Sequence, residues 1–221
     1  MTGSVGFFGK MPGMGDFLRL NLPAGFVQSW DSWLQEAMIA ARATLGAQWD
    51  ERYLSAPIWR FSLPPLAGGQ PAMSGVVMPS VDRVGRQYPL TLAAPCPNGS
   101  AALRHFANDG FFDMLETHAL ATLEEDLTRE LLAARLDGIA PRLPDEMPVS
   151  PDGYAGGVRP EHRLAARGID DQFPGSGIWT SASEGDHRMF LTRGLPDARQ
   201  FTGMIDPEAA MWRPNAVART A

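Results

Sequence analysis

An α+β fold is predicted by the order in which two hydrophobic periodicities alternate along this chain: strand, helix, three strands, helices, two strands, helix. Two stretches carry most of that reading. Residues 75–94, GVVMPSVDRVGRQYPLTLAA, hold two apolar β-prone runs joined by a short charged connector. From Pro23 onward, Phe26, Val27, Trp30, Trp33, Leu34, Ala37, Met38 and Ala41 recur at three and four, the stripe of an amphipathic helix that Gly46 ends. At 221 residues the chain is long enough for one full hydrophobic core, so a single domain spanning 1–221 is expected.

Taken in order, 5–10 reads as a short strand, and Gly13 and Gly15 make MPGMGD a turn. A phosphate-binding loop fails here on chemistry. Met11 and Pro12 follow Gly9-Lys10 where a Ser or Thr would be needed, and Pro12 removes an N–H from the cradle. The first helix follows, with its tryptophans assigned to packing, then a short helical piece at 48–54. Residues 56–63 alternate Trp59, Phe61 and Leu63 on one face and predict a strand. Within 75–94, Val76 to Met78 forms one run, Pro79 withholds a ladder N–H, and a second run begins at Tyr88. Ser80 is positioned to cap a single helical turn with Val81 and Val84 facing inward and Gly85 as its exit. On that expectation Asp82, Arg83 and Arg86 point outward.

Asn108 or Asp109 is expected to cap a second long helical region through Leu136, with a break near Leu123. Prolines and glycines make 137–159 an irregular internal linker. Strands at 177–181 and 187–192, a closing helix at 196–204 and a flexible tail at 214–221 complete the pattern.

Chemistry is constrained mainly by exclusion. A formal charge of −6 and pI near 5.2 argue against general nucleic-acid binding, which requires a basic face. A lone cysteine, Cys96, rules out an internal disulfide and suits a reducing compartment. No basic leader precedes an apolar run, so a cytoplasmic location is expected. The histidines at 105, 118, 162 and 187 are scattered, no Gly-x-Ser-x-Gly elbow occurs, and Asp186-His187 has no nucleophile assigned to it. Neither catalytic residues, a metal nor a cofactor is therefore expected.

Four blocks then match a known pattern: Gly6-Phe-Phe-Gly-Lys-Met-Pro-x-x-Gly-Asp-Phe17, Trp30-Asp-x-Trp-Leu-Gln35, Ala56-Pro-x-Trp-Arg-Phe61, and Gly75-Val-x-x-Pro-Ser-Val-Asp-Arg-Val-Gly-Arg86 followed by Tyr88-Pro-Leu-Thr91. Together they closely resemble the TagF (ImpM or SciT) family of type VI secretion. The resemblance is densest over residues 5–95 and thins beyond, where Gly177-Ile-Trp179 and Gly194-Leu-Pro196 carry it. It implies an antiparallel sheet covered by helices, of the longin or profilin type. It also implies a cytoplasmic regulator that represses secretion after translation by interacting with the forkhead-associated scaffold protein. The polar residues inside the matching blocks, Asp82, Arg83 and Arg86 with Lys10, Asp16 and Arg19, are the candidate partner-binding residues. The alternative is an enzyme or nucleotide-sensing domain built on the Lys10 turn and the Arg83 and Arg86 loop.

Overall fold

In the computed structural model, residues 4–124, 127–142, 158–183 and 185–213 are described. Seven strands form one sheet: β1 (Gly6–Gly9), β2 (Leu18–Leu20), β3 (Trp59–Leu63), β4 (Ala72–Met78), β5 (Leu90–Cys96), β6 (Gly177–Ser183) and β7 (Asp186–Thr192). Their spatial order is β2-β1-β5-β4-β3-β6-β7, and every neighbouring pair is antiparallel. The chain is therefore α+β, and the sheet stays open rather than closing into a barrel.

Helices cover both faces of this sheet, which explains why its central strands read as unbroken apolar runs rather than alternating ones. All seven residues of β4 are buried. Against one face lie α1 (Ala24–Leu45), α2 (Trp49–Ser55) and α7 (Ala198–Ile205). Phe26, Val27, Trp30, Leu34, Ala37 and Ala41 are the buried residues of α1, and Gly46 ends it at φ 53°. Trp30 meets Phe61 of β3 at 4.9 Å between rings and donates its indole N–H to the Thr91 hydroxyl of β5 at 2.8 Å. This large core side chain thus has its one polar group satisfied. Beneath it, Gly75 allows β4 and β5 to approach closely, since an added Cβ would lie 2.3 Å from the Leu92 carbonyl oxygen. Asp197 and Gln200 close a reciprocal capping box at the start of α7.

On the opposite face lie α3 (Ala101–Phe106), α4 (Asp109–Ala121), α5 (Arg129–Leu136) and α6 (Pro160–Gln172). The break expected near Leu123 separates α4 from α5. Three elements escaped the sequence reading. β2 is only three residues long, α3 is six residues long between two loops, and α6 has Ala166 as its only buried residue, so none shows a usable periodicity. The expected linker 137–159 lies largely outside the described residues, although its described flanks carry no helix or strand. The expected tail 214–221 lies wholly outside them.

A buried polar row crosses the sheet face that α3 covers. Ser62 and Ser74 lie 3.0 Å apart through their hydroxyls, and the His105 ring bridges Ser62 at 3.3 Å and Thr180 at 2.7 Å. Burial, and secondarily the Arg60 charge, lowers the His105 pKa to about 3. An unfolded histidine titrates near ~6.5, so between those values the unfolded chain binds a proton that the native one refuses. This contribution is fully present above the unfolded pKa and is lost as pH falls below it, with a slope of up to ~1.4 kcal/mol per pH unit. His118, held down by partial burial and Arg135, acts in the same direction. The thermal midpoint of the wild type should therefore fall between pH 7 and pH 5, and that slope should be shallower in His105→Gln. Parallel profiles for the two proteins would remove His105 as its source.

Candidate functional site

The first strand delivers Lys10 under the connector between β4 and β5. Gly9, at φ 136°, lies where an added Cβ would meet the Pro89 carbonyl oxygen at 2.1 Å, so only glycine lets β1 pass this close to the start of β5. Lys10 is consequently 7% exposed, and its ammonium lies 3.0 Å from Oδ2 of Asp82 and 3.5 Å from the Arg86 carbonyl.

The connector is a tight antiparallel turn rather than the expected helical one. Val81 and Gln87 form a β-bridge, the Asp82 N–H donates to the Arg86 carbonyl at 3.1 Å, and the Gly85 N–H donates to the Asp82 carbonyl at 2.8 Å. Gly85 adopts φ 82°, open to glycine at no steric cost. Inside the turn, Asp82 Oδ1 accepts the N–H groups of Val84 (3.1 Å) and Arg86 (2.9 Å), while Oδ2 also accepts Arg86 Nε at 2.6 Å.

Two expectations are thereby corrected. Val84 is 69% exposed and Val81 half-buried, whereas Asp82, expected to point outward, is 2% exposed. The physical reason is that the carboxylate finds donors on every side. Burial alone would raise its pKa, but the Lys10 ammonium, the Arg86 N–H and guanidinium and the Val84 N–H outweigh that effect and hold the carboxyl far below the ordinary range. No comparable partners would reward burying the valines.

The turn is then fastened to its surroundings. Arg86 donates to the Gly15 carbonyl at 2.7 Å and the Arg83 N–H to the Met14 carbonyl at 2.9 Å, locking the Lys10 loop to it. The Tyr53 hydroxyl donates to the Ser80 carbonyl and accepts the Ser80 N–H, at 2.9 and 3.1 Å. Gln87 accepts from Arg42 and Trp49 and donates to Asp50. Tyr88 donates to Asp31 at 2.6 Å, and burial, reinforced by that carboxylate, raises its hydroxyl pKa and keeps it protonated.

Of the six candidates, Lys10, Asp82 and Arg86 are brought together as one ionic knot, with Arg83 exposed beside it. The Arg83 side chain makes no hydrogen bond or ion pair among the described residues, and it lies over Gly15, where an added Cβ would be 3.4 Å from its guanidinium. Asp16 and Arg19 are exposed but stand outside the knot. Arg19 lies on the edge strand opposite Phe8, and its carbonyl accepts from Arg129 at 3.2 Å. Attention to polar residues alone missed Phe17. It is 50% exposed, stacked on Phe8 at 5.9 Å, edge-on to Tyr88 at 4.7 Å, and 5.2 Å from the Lys10 ammonium. Its place in the first matching block was the available signal. Among the described residues, no group of three or more His, Cys, Asp or Glu is placed to hold a metal ion.

The family model described as the TagF N-terminal domain, type VI secretion system-associated, matches residues 6–139. The chain belongs to the TagF family. All six candidates and Phe17 fall inside the matched range, which extends well past the blocks that carry the resemblance in sequence. A solved structure, the crystal structure of PA0076 from Pseudomonas aeruginosa PAO1, superposes with a TM-score of 0.75 at 36% identity, covering 93% of this chain and 95% of that one. No curated protein matches. The structural likeness thus spans β6, β7 and α7 as well as the matched TagF region.

Asp82→Asn should lower the thermal midpoint by several degrees, because Lys10 would keep its buried charge while losing the carboxylate. Arg83→Ala should change stability by no more than about 0.5 kcal/mol. Thermal unfolding followed by circular dichroism measures both. Equal midpoints in the two variants would show that the knot does not hold the turn.

Proposed function

We propose that this TagF-family chain represses type VI secretion after translation, in the cytoplasm and without catalysis, by binding the forkhead-associated scaffold protein through the Arg83 turn. Membership of a type VI secretion-associated family supports the process. The observation that carries the surface is that Arg83 is displayed, its side chain without a hydrogen bond or ion pair among the described residues, on a turn fixed from beneath by the Asp82 knot. A cation held this way loses little conformational freedom on binding, and it presents a positive field on a chain whose overall charge is −6. Lys10 and Arg86 extend that field, with Asp82 as the single carboxylate among them. No helix of the described residues is long and apolar enough to cross a membrane, and Cys96 is buried as a free thiol, both of which accord with a cytoplasmic setting.

A nucleotide-sensing or enzymatic use of the same loop is disfavoured by its geometry. Such a site needs a lysine ammonium free to meet phosphate, yet Lys10 is ion-paired to Asp82 beneath the turn. The geometry also separates the arginines by role. Arg86 bonds Asp82 and Gly15 and holds the turn, whereas Arg83 is available for contact.

Arg83→Glu should therefore weaken binding to the purified scaffold protein by roughly tenfold or more at an unchanged thermal midpoint, and should release secretion in cells. Isothermal titration and a secretion assay read the two effects. Wild-type affinity together with full repression in Arg83→Glu would remove this turn from the binding surface.

A further inference from the structure

Beside the turn lies a surface that neither the sequence reading nor the family description assigns. A cavity of about 230 Å³ opens between α1 and the connector, lined by Met38, Ile39, Arg42, Trp49, Gln87 and Tyr88 among others. Phe17 adjoins it through its edge contact with Tyr88. Ile39 is 72% exposed at its rim, an unusual place for a large aliphatic side chain on a helix whose opposite stripe is fully buried. Exposed Phe17 and Ile39 thus flank one surface on which arginines also stand.

The charges are arranged about this apolar ground. At one end Arg42 lies 5.3 Å from the Trp49 ring and donates to Gln87. At the other stand Arg83 and Arg86, on the same turn as Gln87. Of the neighbouring acids, Asp31 and Asp50 are turned to the Tyr88 hydroxyl and the Gln87 amide, while Asp16, next to Phe17, is exposed. Aromatic residues and arginines around an apolar centre are the composition of an interface hot spot, and nothing within the described residues uses them so.

We infer that this cavity receives one large apolar side chain from an acidic segment of the scaffold protein, with Phe17, Tyr88, Met38 and Ile39 forming the apolar seat and Arg42 and Arg83 meeting the flanking carboxylates. The inference rests on the partner proposed above and deepens it. The apolar centre supplies the affinity, and the arginines orient the approach, so association should slow as salt rises.

Ile39→Glu tests the seat with little risk to folding, because the side chain is largely in solvent. Leu164→Glu, equally exposed on α6 across the sheet, is its control. Both variants and the wild type are titrated against the purified scaffold protein, with thermal midpoints recorded. Ile39→Glu should bind at least about tenfold more weakly at an unchanged midpoint, while Leu164→Glu binds as the wild type does. Phe17→Ser should weaken binding in the same sense. Wild-type affinity in Ile39→Glu and Phe17→Ser would overturn the seat while leaving the partner standing. An equal loss in Leu164→Glu would also overturn it, by showing the effect of charge alone. Failure of the wild type to bind would instead overturn the partner, and this surface with it.

Discussion

One buried carboxylate organises the recognition end of this protein. Asp82 gathers two backbone N–H groups, an ammonium and a guanidinium around a side chain with no exposed surface. Each donor comes from a segment that would otherwise be an independent loop: Lys10 from the end of β1, Val84 and Arg86 from the connector itself. Because Arg86 reaches on to Gly15, and the Arg83 N–H to Met14, the carboxylate also fixes the Lys10 loop. Removing any donor leaves a buried charge less compensated, so the arrangement is held by mutual need rather than by the strength of one ion pair.

That knot depends in turn on how the sheet is assembled. β1 and β5 are separated by some eighty residues yet lie side by side, and only the glycine at position 9 lets their backbones come close enough for Lys10 to slide under the turn. From the other side, α1 and α2 reach the connector through Arg42, Trp49, Asp50 and Tyr53. The same α1 that anchors the aromatic core through Trp30 therefore sets the wall of the cavity beside the turn. Architecture and recognition share one helix, with its buried stripe serving the first and Ile39 and Arg42 the second. β6 and β7 lie at the other edge of the sheet and α7 packs against α1 and α2, all three beyond the matched family region, and they complete the aromatic core through Trp179, Phe190 and Phe201.

What the sequence made legible follows from the range over which each signal acts. The α1 stripe, the alternation of Trp59, Phe61 and Leu63, the break between α4 and α5 and the β6–β7 pair are written in neighbouring residues, and they stand close to where periodicity puts them. The connector was legible as an ordered turn but not in its kind, which is a tight antiparallel turn rather than a helical one. Val81 and Val84 share a face only if the segment is helical, and a serine before them made that plausible. What decides otherwise is Lys10, seventy-two residues away, because a carboxylate with such a partner is more stable inside the turn than two valines would be. Sequence spacing contains no trace of that contact. For the same reason Arg83 and Arg86 looked equivalent, although one is structural and the other free. Phe17 was passed over because an exposed aromatic beside glycines carries no periodicity, only a position within a matching block.

Asp82 is an ionised carboxylate locked inside the turn, and its own titration is the decisive measurement. In a protein carrying ¹³C-labelled aspartate, the Asp82 carboxyl resonance, assigned with Asp82→Asn, would be followed from pH 7 down to about pH 4. A group with a depressed pKa stays ionised throughout that window, so its shift should remain flat while the resonances of ordinary model-peptide aspartates begin to move near ~3.9. An Asp82 resonance that titrates alongside them would mean that the carboxylate is neither buried nor compensated, and the account of the turn built on it would be wrong.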